Sequence, residues 1–267
     1  MELFNLLIGT LLLRPYVFFF LAVALSVSVM LMGRGRTAVF FCTTWAIAFV
    51  SEISSTRIGF PFGDYSYIDT TRDQELWILN VPFMDSISFS FLLFFSYCFA
   101  CFLVSLAGRT HDRASNVTFL PSPLSVPIIM ITVMLFVFID FIIDPVALRG
   151  DRWFLGKIYE YAEHGIYFGV PLSNFAGWAF VGLSSLLVFK IWETRLAVRT
   201  NTFAPDRRMK LLYVGAMLYY MVLIFNLAVT FWIGEFLIGT VGTLIYLPLT
   251  IWVLTKIYVS LFIKHTV

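Results

Sequence analysis

Six residues able to carry a charge or orient a proton stand where the amino-acid sequence is otherwise apolar. Glu52 ends one long hydrophobic run and Asp85 begins the next. Asp140 and Asp144, four apart, lie near the end of a third run, Asn174 opens a fourth, and Glu235 falls between the last two. If the third run is helical, the spacing of Asp140 and Asp144 puts both on one face. Ionisable groups in such surroundings are costly, so each requires a function or a partner. Asp85 reads as a helix N-cap, and Glu235 as the ion-pair partner of Arg57, Arg149 or Arg152. Glu52 and Asp140 follow long apolar runs with no base beside them, which makes them the leading candidates for catalysis.

Other chemistries lack their residues. Membrane di-iron oxygenases need many histidines in spaced boxes, whereas this chain has His111, His164 and His265. There is no catalytic triad, zinc set or phosphate loop, since Gly33-Arg34-Gly35 belongs to no strand–helix unit. Cys98-x-x-Cys101 lies on a hydrophobic segment and reads as packing, and Cys42 makes the cysteine count odd, against a disulfide framework. Asn116-Val117-Thr118 matches a glycosylation sequon but falls in an expected cytoplasmic loop. What remains is acid chemistry by carboxyl groups in an apolar, aromatic-lined chamber, without metal or cofactor.

The elements that must position these groups are membrane spans. The 267 residues are 60% hydrophobic and 13% charged, about half the charged fraction of a soluble domain. The net charge of +2 suggests no nucleic-acid partner. Runs long enough to cross a bilayer as helices lie near 15–33, 37–54, 86–107, 124–144, 172–192, 211–233 and 236–262. The expected fold is all-α, one polytopic membrane domain over residues 1–267. The first run is not read as a signal peptide, because Glu2 replaces a basic start and Gly33-Arg34-Gly35-Arg36 follows it. Residues 3–13 are apolar too, set apart by Arg14-Pro15. Pro121, Pro123 and Pro127 lead into the fourth span, and Asp144-Pro145 closes it.

Basic residues set the orientation. Loops 1–2, 3–4 and 5–6 with the C-terminal end hold 12 of the 18 Lys and Arg, while 13 of the 16 acids lie opposite. This predicts a cytoplasmic C-terminus, an N-terminus on the other side, and Glu52, Asp85, Asp140, Asp144, Asn174 and Glu235 at one depth near the outer face. The loops 55–85 and 145–171 are then non-cytoplasmic. Both are rich in Gly, Pro and aromatics, as in Ile58-Gly59-Phe60-Pro61-Phe62-Gly63-Asp64-Tyr65 and Ile166-Tyr167-Phe168-Gly169-Val170-Pro171. Such loops are packed by rings rather than disordered. Each joins an even-numbered span to the next odd one, as an internal duplication would.

Several of these motifs together resemble a known family. They are Glu52-x6-Gly59-Phe60-Pro61-Phe62-Gly63-x-Tyr65-x-Tyr67, Val81-Pro82, Asp140-x3-Asp144-Pro145, Trp153, and Tyr167-Phe168-Gly169-Val170-Pro171-x-Ser173-Asn174-Phe175-x-Gly177-Trp178. Over about residues 45–185 the chain resembles the carotenoid-biosynthesis membrane family that includes the carotenoid 1,2-hydratases and bisanhydrobacterioruberin hydratases. Asp85-Ser86-Ile87-Ser88-Phe89 departs from the more apolar stretch of the hydratase members. The resemblance implies addition of water to the terminal double bond of an acyclic carotenoid end. On that reading Asp140 or Glu52 is the acid, Asp144 its partner, and Asn174 orients water. Phe60, Phe62, Tyr65, Tyr67, Trp153, Tyr167, Phe168 and Trp178 are candidates for the wall around the substrate, with Asp85 a possible addition. The partners implied are a lipophilic polyene or isoprenoid, membrane lipid and other enzymes of the pathway.

Three rivals share parts of this pattern. A carotenoid or terpene cyclase begins with the same protonation. A retinal-binding seven-helix protein would use Lys256, although Trp252 rather than an acid sits one turn before it. A transporter would need carboxylates on the cytoplasmic half too, where none is expected.

Overall fold

The computed structural model describes residues 2–108, 124–195 and 205–262. The expected sequon at Asn116, His111, His265 and the prolines at 121 and 123 lie outside the described residues. A short apolar helix, α1 (Glu2–Leu13), precedes seven long ones: α2 (Pro15–Met32), α3 (Arg34–Ile58), α4 (Phe83–Gly108), α5 (Val126–Ala147), α6 (Leu172–Arg195), α7 (Pro205–Trp232) and α8 (Phe236–Phe262). The seven long helices are long and apolar enough to cross a membrane. This is an all-α polytopic membrane protein.

The boundaries follow local chemistry. Gly33 separates α2 from α3 at φ 85°, and Gly59 ends α3 in the left-handed conformation, donating its N–H to Ser55 O. Both are positions where a side chain would strain the backbone. Pro145, expected to close the fourth span, lies inside α5, which continues to Ala147.

Helix α4 is the axis of the bundle, buried along nearly its whole length against α2, α3, α5 and α7. Its serines need no partner from lipid: Ser96 and Ser105 donate to Leu92 O and Cys101 O one turn back, and Ser90 to Phe41 O. Small residues let helices approach closely in a bilayer. At Gly215 of α7, a Cβ would stand 2.3 Å from Cys98 Cβ. Cys98 and Cys101 are buried free thiols in this interface.

The two long loops fold onto each other at one end of the bundle. Strand β1 (Tyr65–Tyr67) pairs antiparallel with β4 (Tyr159–Tyr161), in the register Tyr65–Tyr161, Ser66–Glu160 and Tyr67–Tyr159. A hairpin of β2 (Trp77–Ile78) and β3 (Val81–Pro82) leads into α4. Arg14, which the sequence suggested as a mere separator, ties the loops together. It is 2% exposed, pairs with the fully buried Glu75 at 3.5 Å, and donates to Leu155 O at 2.6 Å. Breaking a buried pair from one side costs about 3–5 kcal/mol, so this contact anchors the start of α2 beneath both loops.

Candidate active site

Strand pairing decides the site. Side chains two apart on a strand share a face, so the register brings Tyr65, Tyr67, Tyr159 and Tyr161 together. Their hydroxyls meet carboxyl groups from the ends of three helices. Tyr67 Oη lies 2.6 Å from Asp85 Oδ2 and 3.1 Å from Glu52 Oε1, and accepts from Tyr65 at 3.4 Å. Ser86 Oγ donates to Glu52 Oε2. Tyr159 donates to Asp144 Oδ1 at 2.7 Å and Tyr161 to Asp144 Oδ2 at 2.8 Å. Asn174 Nδ2 bridges Asp140 Oδ2 at 2.6 Å and Asp144 Oδ2 at 2.7 Å.

Burial, and after it the neighbouring carboxyl groups, hold all four ribbon tyrosines well above the ordinary phenol range. They are hydrogen-bond donors at any ordinary pH.

These groups enclose a cavity of about 50 Å³ lined by Glu52, Asp85, Asp144, Asn174, the four tyrosines, Phe62, Phe89 and Trp178. A second, largely apolar cavity of about 140 Å³ runs between α2, α4, α5 and α7. Asp85, Phe89, Asp144, Tyr159 and Trp178 line both. At this junction Phe89 and Trp178 stack with centroids 4.4 Å apart, and Phe136 lies 4.6 Å from Trp178. Among the described residues, no group of three His, Cys, Asp or Glu is arranged to hold a metal ion.

Residues 11–248 match the family described as carotenoid biosynthesis protein. The chain belongs to that family. Over 149 residues it is 29% identical to the bisanhydrobacterioruberin hydratase of Haloarcula japonica, an alignment covering 55% of this chain and 43% of that protein. The chain therefore matches less than half of that relative's length. No solved structure matches it.

In this carotenoid biosynthesis protein the candidate residues separate by position. Glu52, Asp144, Asn174, Phe62, Tyr65, Tyr67 and Trp178 line the polar chamber. Asp85 does as well, and this corrects its reading as a helix cap: it sits in the first turn of α4, and its hydrogen bond goes to Tyr67, eighteen residues back. Asp140 lies behind the chamber wall, fully buried, bonded to Asn174 through Oδ2 and in electrostatic contact with Asp144 one turn on. Trp153 belongs to the apolar cavity, its indole N–H donating to Val146 O.

Phe60, Tyr167 and Phe168 line neither cavity. Phe60 is exposed and packs edge-on against Phe180. The tight turn that bonds Gly165 N to Gly169 O turns Tyr167 toward Phe141 and Phe175 instead. Glu235 pairs with Arg149 at 3.1 Å and with Arg152. Lys256 lies over the Trp252 ring, 5.7 Å from its centroid.

Sequence reading missed Tyr159, Tyr161, Ser86 and Phe89. One signal was available for the tyrosines: Tyr159-x-Tyr161 repeats the spacing of Tyr65-x-Tyr67 in the other long loop.

Proposed function

We propose that the protein adds water across the terminal double bond of an acyclic carotenoid, giving a tertiary alcohol, with its own carboxyl groups as acid and base. The observation that carries this reading is the shared wall. A proton-rich chamber and an apolar cavity meet at Asp85, Asp144, Phe89, Tyr159 and Trp178, so a hydrocarbon end lying in the second cavity would present its last double bond to the first. The chamber's 50 Å³ also has room for water, which needs roughly 10–15 Å³ of such space and two to four polar partners.

The hydrogen bonds divide the roles. Tyr67 has one proton and two carboxyl oxygens in reach, a pairing that a proton held by one of the two carboxyl groups would support. Glu52 and Asp85 together are thus the acid. Asp144 faces three donors, Tyr159, Tyr161 and Asn174, an arrangement suited to a carboxylate. The acid protonates the less substituted carbon of the double bond, whose π pair forms the new C–H bond. The tertiary cation left behind lies against the faces of Phe89 and Trp178 and the charge of Asp144. Water attacks the cation and loses a proton to a carboxylate, so the proton count closes without a redox partner. Both amide hydrogens of Asn174 are engaged by aspartates, which leaves Oδ1 to hold the water.

The test is expression in a host that accumulates an acyclic carotenoid, with the pigments weighed. A new pigment heavier by one water is the expected product. An isomer of unchanged mass would mean ring closure instead, and no new pigment would overturn the reading.

A further inference from the structure

A cavity of about 140 Å³ is small for a polyene; an apolar cavity of roughly 150 Å³ accommodates a molecule the size of benzene. Only the end of a carotenoid fits, and the rest must leave through a wall. The polar end is closed by the tyrosine ribbon, and one side by α4. Helices α2 and α7 pack against each other, and beside their contact aromatic side chains complete the closure. Tyr16 and Phe225 line the cavity, and Phe154 bridges them, with ring centroids 5.9 Å from Tyr16 and 6.2 Å from Phe225. Phe154 is 62% and Phe225 38% exposed. Phe19 and Ile224, on the same two helices, are exposed and apolar as well, a surface suited to lipid on spans of this length.

We infer that the gap between α2 and α7, closed by Tyr16, Phe154 and Phe225, is a lateral portal through which a membrane-dissolved polyene enters end-first. Its substrate class rests on the hydration reading; its position does not. Rings held by contacts with other rings, one edge-on and one tilted, swing aside without breaking a backbone hydrogen bond, which a gate in a bilayer requires. Most of the polyene stays in lipid while its end reaches the junction at Asp85 and Trp178. A polyene carrying a ring at each end is too wide to thread this gap.

The experiment uses the full chain in lipid nanodiscs with Cys42→Ser, Cys98 and Cys101 being buried. Phe154→Cys, Phe225→Cys and, on α8, the 60% exposed Leu254→Cys are each measured before and after labelling with a bulky maleimide. Binding is read as circular dichroism induced in an acyclic polyene, and water gain is weighed in the same samples. Labelling at 154 or 225 should weaken binding by about tenfold or more, ~1.4 kcal/mol, while labelling at 254 leaves it unchanged. A ring-terminated polyene should give no signal with any of them. Unaltered binding after labelling at 154 and 225, equal loss at 254, or no polyene binding before labelling would each overturn the portal. Binding that obeys the portal pattern without gain of water would remove the hydration reading and leave the portal standing.

Discussion

The division of carboxyl groups rests on which oxygen faces which donor. Glu52 and Asp85 share the Tyr67 hydroxyl at the chamber wall, whereas Asp140 does not line the chamber and meets it through Asn174 and Asp144. Glu52→Gln and Asp85→Asn should each lower turnover by about two to four orders of magnitude, the usual contribution of a positioned general acid, with the protein still folded in the membrane. Asp140→Asn should cost much less, since its amide oxygen can still accept from Asn174. Turnover assays on purified variants, normalised to folded protein, check this. Near-normal activity in both Glu52→Gln and Asp85→Asn would refute the acid assignment, and loss in Asp140→Asn alone would move the acid behind the wall. That Glu52, Asp144 and Asn174 would line one chamber was legible because ionisable and strongly polar groups inside apolar runs are conspicuous. The contact of Asp85 with Tyr67 was not: an Asp at a helix start looks the same whether it caps the helix or binds a phenol brought in from another loop.

At the scale of elements, the helices could be read from about twenty-residue apolar runs, but several extend beyond those runs into polar residues, as α3 does to Ile58, α5 past Pro145 to Ala147 and α7 back to Pro205. The β1–β4 ribbon could not be read this way. Its strands are three residues each, nearly a hundred residues apart, too short for alternation to register. What they carry is a set of phenols that burial holds protonated, and this predicts an alkaline limit. An unfolded tyrosine loses its proton near the ordinary value of 10.0, whereas Tyr67 and its neighbours keep theirs to well above it. Between those values the unfolded chain binds fewer protons than the folded one, so stability falls as pH rises. The ribbon's contribution is complete below about pH 10 and disappears as pH climbs through the folded-state values. The thermal midpoint should therefore drop above pH 10, in step with tyrosinate absorbance, and drop less in Tyr67→Phe/Tyr159→Phe. An equal drop in the double variant would assign the alkaline loss to other groups.

Among the described residues, the polar chamber lies at the opposite end of the bundle from Arg36, Arg207, Arg208 and Lys210. Arg36 at the start of α3 pairs with Glu193 near the end of α6, so the basic ends of these helices meet away from the chamber. Arg207, Arg208 and Lys210 sit in the first turns of α7, whose other end approaches the apolar cavity at Phe225 and Asn226. Positive charge is retained on the cytoplasmic side during insertion, and from this we predict that the chamber and both long loops lie on the opposite side. Cysteine-accessibility labelling on a Cys42→Ser background tests this orientation directly. Asp69 and Asp206 are exposed at the two ends. Asp69→Cys should react with an impermeant maleimide added from outside intact cells, and Asp206→Cys only after the membrane is opened. The reverse pattern would turn the protein over and set the chamber toward the cytoplasm. The portal survives either orientation, because its mouth opens sideways into lipid that both faces share. On the hydration reading the source of water does not: it would be whichever compartment lies beyond the tyrosine ribbon. The same labelling therefore decides which compartment supplies the water.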